Sequence, residues 1–186
     1  MTNDNKPVPS LTDLQALQLA IDASAAAVAN GDGPFGATLV SADGREQLVA
    51  ANNVNSAADF SGHAEMVVLR RAQELWGRAG LRGATLYASG EPCAMCAGAL
   101  FWAGIQRVVF GATQADVIRL LGPSPAMPTD SRRTLAGAQP AVQIDGPLLN
   151  EEACAVLRRF ADERLRAIDC GMLTDRVLDT DSTRPG

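Results

Sequence analysis

Short apolar segments typical of β-strands alternate along this chain with segments of helical periodicity, and this alternation limits the possible folds most strongly. A first helix is predicted from residue 10 to about residue 29, and the strand-like segments 35–41 and 48–52 flank the turn Ala42-Asp43-Gly44. The later predicted elements are helices over 63–78 and 93–103, strands over 84–89, 107–111 and 141–145, and a last helix that starts at Asn150-Glu151-Glu152. A hairpin followed by alternating helices and strands predicts an α/β fold, with one mixed sheet covered by helices in a sandwich.

Local signals mark where the predicted elements begin and end. Thr12 with Gln15 fits a capping box, and Pro92 has the residue type favoured at the first position of a helix. Residues 113–139 show little periodicity, which predicts a short helix and a long loop, and loops of this length in compact domains are often functional. The predicted organisation is a loose arm over 1–9, a single domain over 10–170 and a loosely ordered tail over 171–186.

The composition is typical of a soluble globular domain and argues against two classes of function. The chain has 186 residues, and 16 Lys and Arg against 21 Asp and Glu give a net charge of −5. An acidic chain is a poor candidate for holding nucleic acid through phosphate neutralisation. No apolar run approaches the roughly 18–20 residues that span a bilayer, and the N-terminus lacks the pattern of a signal peptide. We therefore expect a cytoplasmic protein.

The cysteines and the lone histidine carry the chemical information. Of the 4 cysteines, Cys93 and Cys96 form a C-x-x-C at a predicted helix start, where the helix dipole favours thiolates that bind zinc. His63, the single histidine, also lies at a predicted helix start and can supply a third ligand. Three protein ligands are typical of a catalytic zinc, which keeps one position for water. The alternative is a structural zinc in a non-catalytic binding module, closed by Cys154 or Cys170 as fourth ligand.

Glu65 follows His63 by two residues and favours the catalytic interpretation. Its carboxylate can reach a zinc-bound water or hydroxide without binding the metal, and can accept and pass on a proton. The ordered pattern H-x-E…P-C-x-x-C is the signature of zinc-dependent nucleobase deaminases.

Three longer segments extend this match: GDGPFGATLV, NNVNSAADFSGHAEMVVLRRA and LYASGEPCAMCAGALFWAGIQRVVFGA. With these the chain resembles the cytidine deaminase superfamily from about Gly33 to Phe160, in the branch of guanine deaminases and tRNA adenosine deaminases. The resemblance implies a cytidine deaminase-like three-layer α/β/α sandwich with a five-stranded mixed sheet. It also implies one Zn²⁺ per chain on His63, Cys93 and Cys96, with Glu65 as the catalytic proton shuttle.

The resemblance further implies how a substrate is held. Segments around Phe35 and Trp102 are most similar to those of free-base guanine deaminases, so that both side chains line the base pocket. Asn52 hydrogen-bonds the ring, and the backbone of Ala64 meets an exocyclic oxygen. Taken without the family, Phe35 and Trp102 fit a core and Asn52 fits a strand end. The implied function is zinc-dependent deamination of guanine or a related aminated purine or heterocycle, in a homodimer.

Two departures from the guanine deaminase pattern affect the substrate. The stretch DVIRLLGPSPAMPTDSRR has no clear counterpart of the acidic residue that recognises the base, and Asp116 and Asp130 are the candidates. The tail CGMLTDRVLDTDSTRPG has no aromatic residue with which a partner subunit closes the pocket. Cytosine, a nucleoside and tRNA adenosine remain alternative substrates, although the mixed charges of the last helix favour an ordinary solvated face over a nucleic-acid surface.

Overall fold

The structure, a computed structural model, describes residues 12–122, 127 and 129–169, apart from the side chain of Ile168. Within these residues the helices are α1 (Asp13–Ala29), α2 (Ala64–Leu81), α3 (Ala94–Ala103), α4 (Gln114–Leu121), α5 (Ser131–Thr134) and α6 (Asn150–Asp169). The strands are β1 (Gly36–Val40), β2 (Gln47–Ala51), β3 (Thr85–Gly90), β4 (Arg107–Ala112) and β5 (Gln143–Asp145). The predicted arm over 1–9, the tail over 171–186 and Cys170 lie outside the described residues.

The strands form one mixed sheet in the order β2-β1-β3-β4-β5. β1 pairs antiparallel with β2 in the predicted hairpin and antiparallel with β3, whereas β3 with β4 and β4 with β5 pair in parallel. Parallel neighbours require crossover connections, and the helices between them supply these. The predicted α/β fold with a five-stranded mixed sheet is therefore confirmed.

Alternating side chains of the strands build a core on each face of the sheet. On β3, Leu86 and Ala88 pack against α2 and α3, while Tyr87 faces α1 and α6. On β4, Val108 and Val109 divide between the two faces in the same way. This period of two gives the three layers of an α/β/α sandwich.

Local signals explain where the helices begin. Thr12 and Gln15 form the predicted capping box at the start of α1. α3 begins at Ala94 with Cys93 as its N-cap in extended conformation, so Pro92 precedes the cap and the prediction of Pro92 as first helical residue is wrong. Asn150 is the first residue of α6, and its side-chain amide donates to the Gly111 carbonyl and to Asp116.

One glycine sets the packing of α1 on the sheet. A Cβ at Gly36 would lie 2.2 Å from the Ala20 carbonyl oxygen and 2.5 Å from the Ser24 nitrogen, so only glycine allows this close approach. The contact fixes the start of β1 and the adjacent Phe35 against the rest of the fold.

Among the described helices, none combines the length and the apolar character that crossing a membrane requires.

Candidate active site

Several chain segments that carry polar side chains meet at one edge of the sheet. Because β1 runs antiparallel to β2 and β3, its start lies beside their ends, and the end of the parallel strand β4 lies there too. Helices α2 and α3 both begin at this edge, directly after their N-cap residues His63 and Cys93. Two helix N-termini therefore point toward the same small volume, where their dipoles favour negative charge.

His63, Cys93 and Cys96 come together as the sequence predicts. The Nδ1 atom of His63 lies 3.7 Å from Cys93 Sγ and 3.6 Å from Cys96 Sγ. Tetrahedral zinc with Zn–S of about 2.3 Å and Zn–N of about 2.0–2.1 Å requires about 3.6 Å between nitrogen and sulfur ligands. The three donor atoms thus fit a zinc ion, and soft thiolates with an imidazole are a donor set that zinc prefers.

The electrostatic surroundings of the Cys93 and Cys96 sulfur atoms favour a bound cation. Hydrogen bonding from the Cys96 thiol, together with His63, lowers the pKa of Cys93 to about 4. The same hydrogen bond, with burial, raises the pKa of Cys96. This pairing favours a thiolate at Cys93, and a bound cation would take the place of the proton between the two sulfur atoms.

Cys154 does not belong to this cluster. It is buried in α6, and the metal-binding group found in the described residues consists of His63, Cys93 and Cys96 alone. The alternative of a structural zinc with Cys154 as fourth ligand is therefore not supported by the geometry. Cys170, the other candidate fourth ligand, lies outside the described residues.

Glu65 lies in the first turn of α2, next to the metal ligands. Its side chain is only 7% exposed, and burial raises the pKa of its carboxyl group. A buried carboxyl group beside a metal site, with access to a cavity, has the position required of a general acid and base.

A cavity of about 190 Å³ opens onto these residues. The lining residues come from the loop before β1, the loop after β2, the start of α2, the end of β3 with the loop after it, and α4: Phe35, Asn52, His63, Glu65, Gly90, Glu91, Cys93, Gln114 and Val117. Sequence reasoning named Phe35, Asn52, His63, Glu65 and Cys93 among these, and the structure brings all five to the same cavity.

Asn52 presents a hydrogen-bond donor to the cavity. The residue is buried, and its Oδ1 accepts a hydrogen bond from the Val54 backbone N–H at 3.1 Å. Its Nδ2 has no protein partner among the described residues. The backbone N–H of Asn52 donates to the Phe35 carbonyl at 2.9 Å, so the two predicted substrate-binding residues are also neighbours.

Asp32 ties together the loops that carry Phe35 and Asn52. Its buried carboxylate accepts hydrogen bonds from the backbone N–H groups of Asn55 and Ser56, at 2.8 and 3.0 Å, and from the Ser56 hydroxyl at 2.7 Å. One carboxylate therefore fixes the loop before β1 to the loop after β2.

Sequence reasoning missed Glu91, Gln114 and Val117, which line the wall of the cavity formed by the β3–α3 loop and α4. It named Asp116 and Asp130 as candidates for base recognition, and neither lines this cavity. Asp116 instead closes the capping box of α4 and pairs with Arg119, and Asp130 caps α5 by accepting from the Arg133 N–H. Aspartates at helix starts are engaged by backbone donors, which turns them away from a ligand.

The other two predicted substrate-binding residues, Trp102 and Ala64, are not among the residues that line this cavity. Trp102 is 78% exposed and makes an edge-on contact with Phe101, so this chain does not bring it to the cavity. It lies on the outer side of α3, because Cys96, Ala97 and Leu100 are the residues that α3 buries. Ala64 begins α2 and is fully buried beside Glu65.

Comparison with known proteins agrees with the site. Residues 11–112 match the family described as the cytidine and deoxycytidylate deaminase zinc-binding region. A probable cytosine deaminase of Schizosaccharomyces pombe is 35% identical over 153 residues, which are 81% of this chain and 93% of that protein. The guanine deaminase of Bacillus subtilis is 40% identical over 84 residues, which are 45% of this chain and 53% of that protein.

Solved structures give the same result. A structure of the guanine deaminase from Nitrosomonas europaea is 26% identical, with a TM-score of 0.71, and the match covers 86% of this chain and 90% of that chain. A mutant of the protein NE0047 in complex with 8-azaguanine is also 26% identical, with a TM-score of 0.72 and coverage of 86% and 89%. The chain therefore belongs to the zinc-binding family of cytidine and deoxycytidylate deaminases, and it is a zinc-dependent aminohydrolase.

Proposed function

We propose that this deaminase acts on a free nucleobase, with guanine or a related aminated purine as its substrate, and releases ammonia. The cavity supports the proposal, because it joins the metal site and Glu65 to Phe35 and Asn52 within about 190 Å³. Sites for drug-sized ligands usually measure about 300–1,000 Å³, so a cavity of this size favours a base without its sugar. The complex of NE0047 with 8-azaguanine is a further argument for a purine-like ligand.

The chemistry requires that water replaces the exocyclic amine of the base. His63, Cys93 and Cys96 would hold a zinc ion, and that ion would supply a water molecule whose pKa lies near neutrality. The Glu65 carboxylate accepts a proton from the attacking water and delivers it to a ring nitrogen. As the carbon–nitrogen bond breaks, Glu65 passes the second water proton to the leaving amine, which departs as ammonia. The raised pKa of Glu65 suits a group that must hold and release a proton in turn.

Phe35 and Asn52 orient the base in this proposal. The Phe35 ring lies close to Gly90 and provides an apolar surface for the flat face of the ring system. The unpaired Nδ2 of Asn52 donates a hydrogen bond to an acceptor on the ring. The Ala64 backbone, at the start of α2, meets an exocyclic oxygen of the base.

Cytosine is the second candidate substrate. The probable cytosine deaminase of Schizosaccharomyces pombe matches this chain over 93% of its own length, more than the 53% matched in the Bacillus subtilis guanine deaminase. The same chemistry at Glu65 applies to an amine on a pyrimidine ring.

Ammonia release by the zinc-loaded protein from guanine, adenine, cytosine and their nucleosides tests the proposal. We expect turnover of guanine without turnover of guanosine.

Glu65→Gln should lower kcat by about 10²- to 10⁴-fold, the usual contribution of general acid–base catalysis, without loss of zinc. Glu74→Gln, the same change at an exposed position of α2, should leave kcat unchanged. Turnover of cytosine alone would replace guanine with the second candidate, and a near-normal rate for Glu65→Gln would exclude its role.

A further inference from the structure

The wall of the cavity formed by α4 carries one polar side chain, that of Gln114, which the proposed reaction does not use. Gln114 is the first residue of α4, and Val117 follows almost one turn later, so both present their side chains on the same helix face to the cavity. The sequence offered Asp116 and Asp130 as candidates for base recognition, and neither lines the cavity. Gln114, a neutral amide just before Asp116, does.

Glu91 fixes the position of Gln114. Its Oε2 accepts a hydrogen bond from the Gln114 backbone N–H at 3.1 Å, and its Oε1 accepts one from the Ser131 hydroxyl at 2.7 Å. Ser131 begins α5 and is only 1% exposed. One carboxylate directly after β3 therefore ties the start of α4, which lines the cavity, to the start of α5.

The side-chain amide of Gln114 is available to a ligand. It makes no hydrogen bond with any residue that the structure describes, although its backbone is held firmly by Glu91. A glutamine amide offers both a donor and an acceptor. On a cavity wall such a group is satisfied by water or by a bound polar molecule.

The strand order places Gln114 opposite Asn52. Asn52 directly follows β2 and Gln114 lies two residues beyond β4, and β1 and β3 separate these strands in the sheet. Three strand spacings of about 4.7–4.9 Å separate the two backbones by about 14 Å. Both amides line the same cavity, and a bicyclic base, the longer ring system, extends further from Asn52 toward Gln114 than a single pyrimidine ring does.

We infer that Gln114 is a specificity-determining residue that hydrogen-bonds the edge of a purine-type base opposite to the edge met by Asn52, and that Glu91 is its positioning residue. The inference rests on the proposed function, because it takes the base to lie between Asn52 and Glu65. It assigns the preference for a bicyclic over a monocyclic ring to the contact from α4.

Dissociation constants of 8-azaguanine and cytosine, measured by calorimetry with the zinc-loaded protein, test the inference without relying on turnover. Gln114→Met keeps the length of the side chain and removes its hydrogen bonds. We expect it to weaken 8-azaguanine binding about five- to tenfold, the usual value of one neutral hydrogen bond, and to leave cytosine binding unchanged. Gln73→Met, the same change at an exposed position of α2, should alter neither constant.

The outcomes separate the inference from the proposed function. Equal weakening of both ligands by Gln114→Met, or no weakening of either, overturns the inference even where wild-type protein deaminates guanine. Wild-type protein that binds neither ligand overturns both the inference and the free-base proposal.

The role of Glu91 has its own pair of variants. Glu91→Gln keeps an oxygen for the Gln114 N–H and an amide that can donate to Ser131, so we expect nearly wild-type constants. Glu91→Ala should reproduce the selective loss of 8-azaguanine binding with one zinc still bound per chain. Loss of zinc from Glu91→Ala, or equal weakening of both ligands, excludes Glu91 as the positioning residue.

Discussion

The polar groups near the two ends of β4 differ in whether they have hydrogen-bond partners in the protein. At the start of the strand, the Arg107 guanidinium donates to Asp145 at 2.7 Å and to both carboxylate oxygens of Asp13 at 2.8 and 2.7 Å. The Tyr87 hydroxyl completes this group by donating to Asp13 at 2.8 Å, and burial together with Asp13 raises the pKa of Tyr87 to about 12. These four residues, which we call the Arg107 cluster, join α1 to three adjacent strands.

Beyond the other end of β4, the cavity contains several polar groups that have no protein partner in the part of the chain that the structure describes. Within the described residues, the Asn52 Nδ2 and the Gln114 amide lack protein partners, and Glu65 is buried without a cationic side chain of Lys or Arg beside it. Polar groups that are fully paired contribute to stability, whereas unpaired groups in a cavity are available to a ligand. We therefore expect substitutions at the two ends to affect different measurements.

The largest effect is expected from removing a metal ligand at the cavity, which should abolish both zinc binding and activity. Cys96→Ala removes one of the ligands, and loss of a direct ligand should weaken zinc binding by more than the roughly 100-fold that follows loss of an outer-shell partner. Metal analysis after dialysis should find no zinc, and ammonia release should cease.

Cys154→Ala is the matched control, because it deletes an equally buried thiol from α6. It should keep one zinc per chain and full activity. Zinc loss from Cys154→Ala would restore the structural, four-ligand interpretation of the site.

A smaller effect, on stability and not on activity, is expected from removing the Arg107 guanidinium at the start of β4. Arg107→Met leaves the Asp13 and Asp145 carboxylates without their shared cation and should lower the free energy of unfolding by about 2–3 kcal/mol, while kcat per folded molecule stays unchanged. Urea unfolding and ammonia release measure the two quantities. Arg45→Met removes an exposed ion pair with Asp43 and should change neither. A fall in kcat for Arg107→Met would show that the two ends are coupled.

The smallest effect is a dependence of the Arg107 cluster on pH. Hydrogen bonds from Arg107, aided by Tyr87, lower the pKa of Asp13 below its ordinary value of 3.8. A depressed pKa in the folded state stabilises the protein above that ordinary value, and the stabilisation is lost as the pH falls through the folded-state pKa.

Asp13→Asn should therefore reduce the unfolding free energy at pH 7 by about 1 kcal/mol at most, because solvent screens this partly exposed carboxylate, and the difference from wild type should shrink below pH 3.8. Comparing the two proteins at each pH cancels the loss of zinc in acid, which both share. If the difference in unfolding free energy stays constant down to pH 2, the effect comes from the shape of the Asp13 side chain and not from its charge.

The same contrast explains what the sequence could predict. The Thr12–Gln15 capping box and the spacing of His63, Cys93 and Cys96 depend on local patterns, and the structure contains both as predicted. Gln114 and Glu91 escaped prediction because they belong to no local pattern: a turn after β4 and a turn after β3 meet only through the parallel pairing of those strands. Trp102 was assigned to the base pocket by resemblance, whereas the packing of α3 on the sheet leaves it exposed.

Asp32 has a consequence for which sequence changes the site can tolerate. It holds the loop after β2 chiefly through the backbone N–H groups of Asn55 and Ser56. Every residue type except proline supplies such an N–H, so the side chains at these two positions can change while the backbone anchor persists. The loop surface at Asn55 and Ser56 can therefore diverge among descendants of this protein while Asn52 and His63, at the two ends of the loop, keep their places.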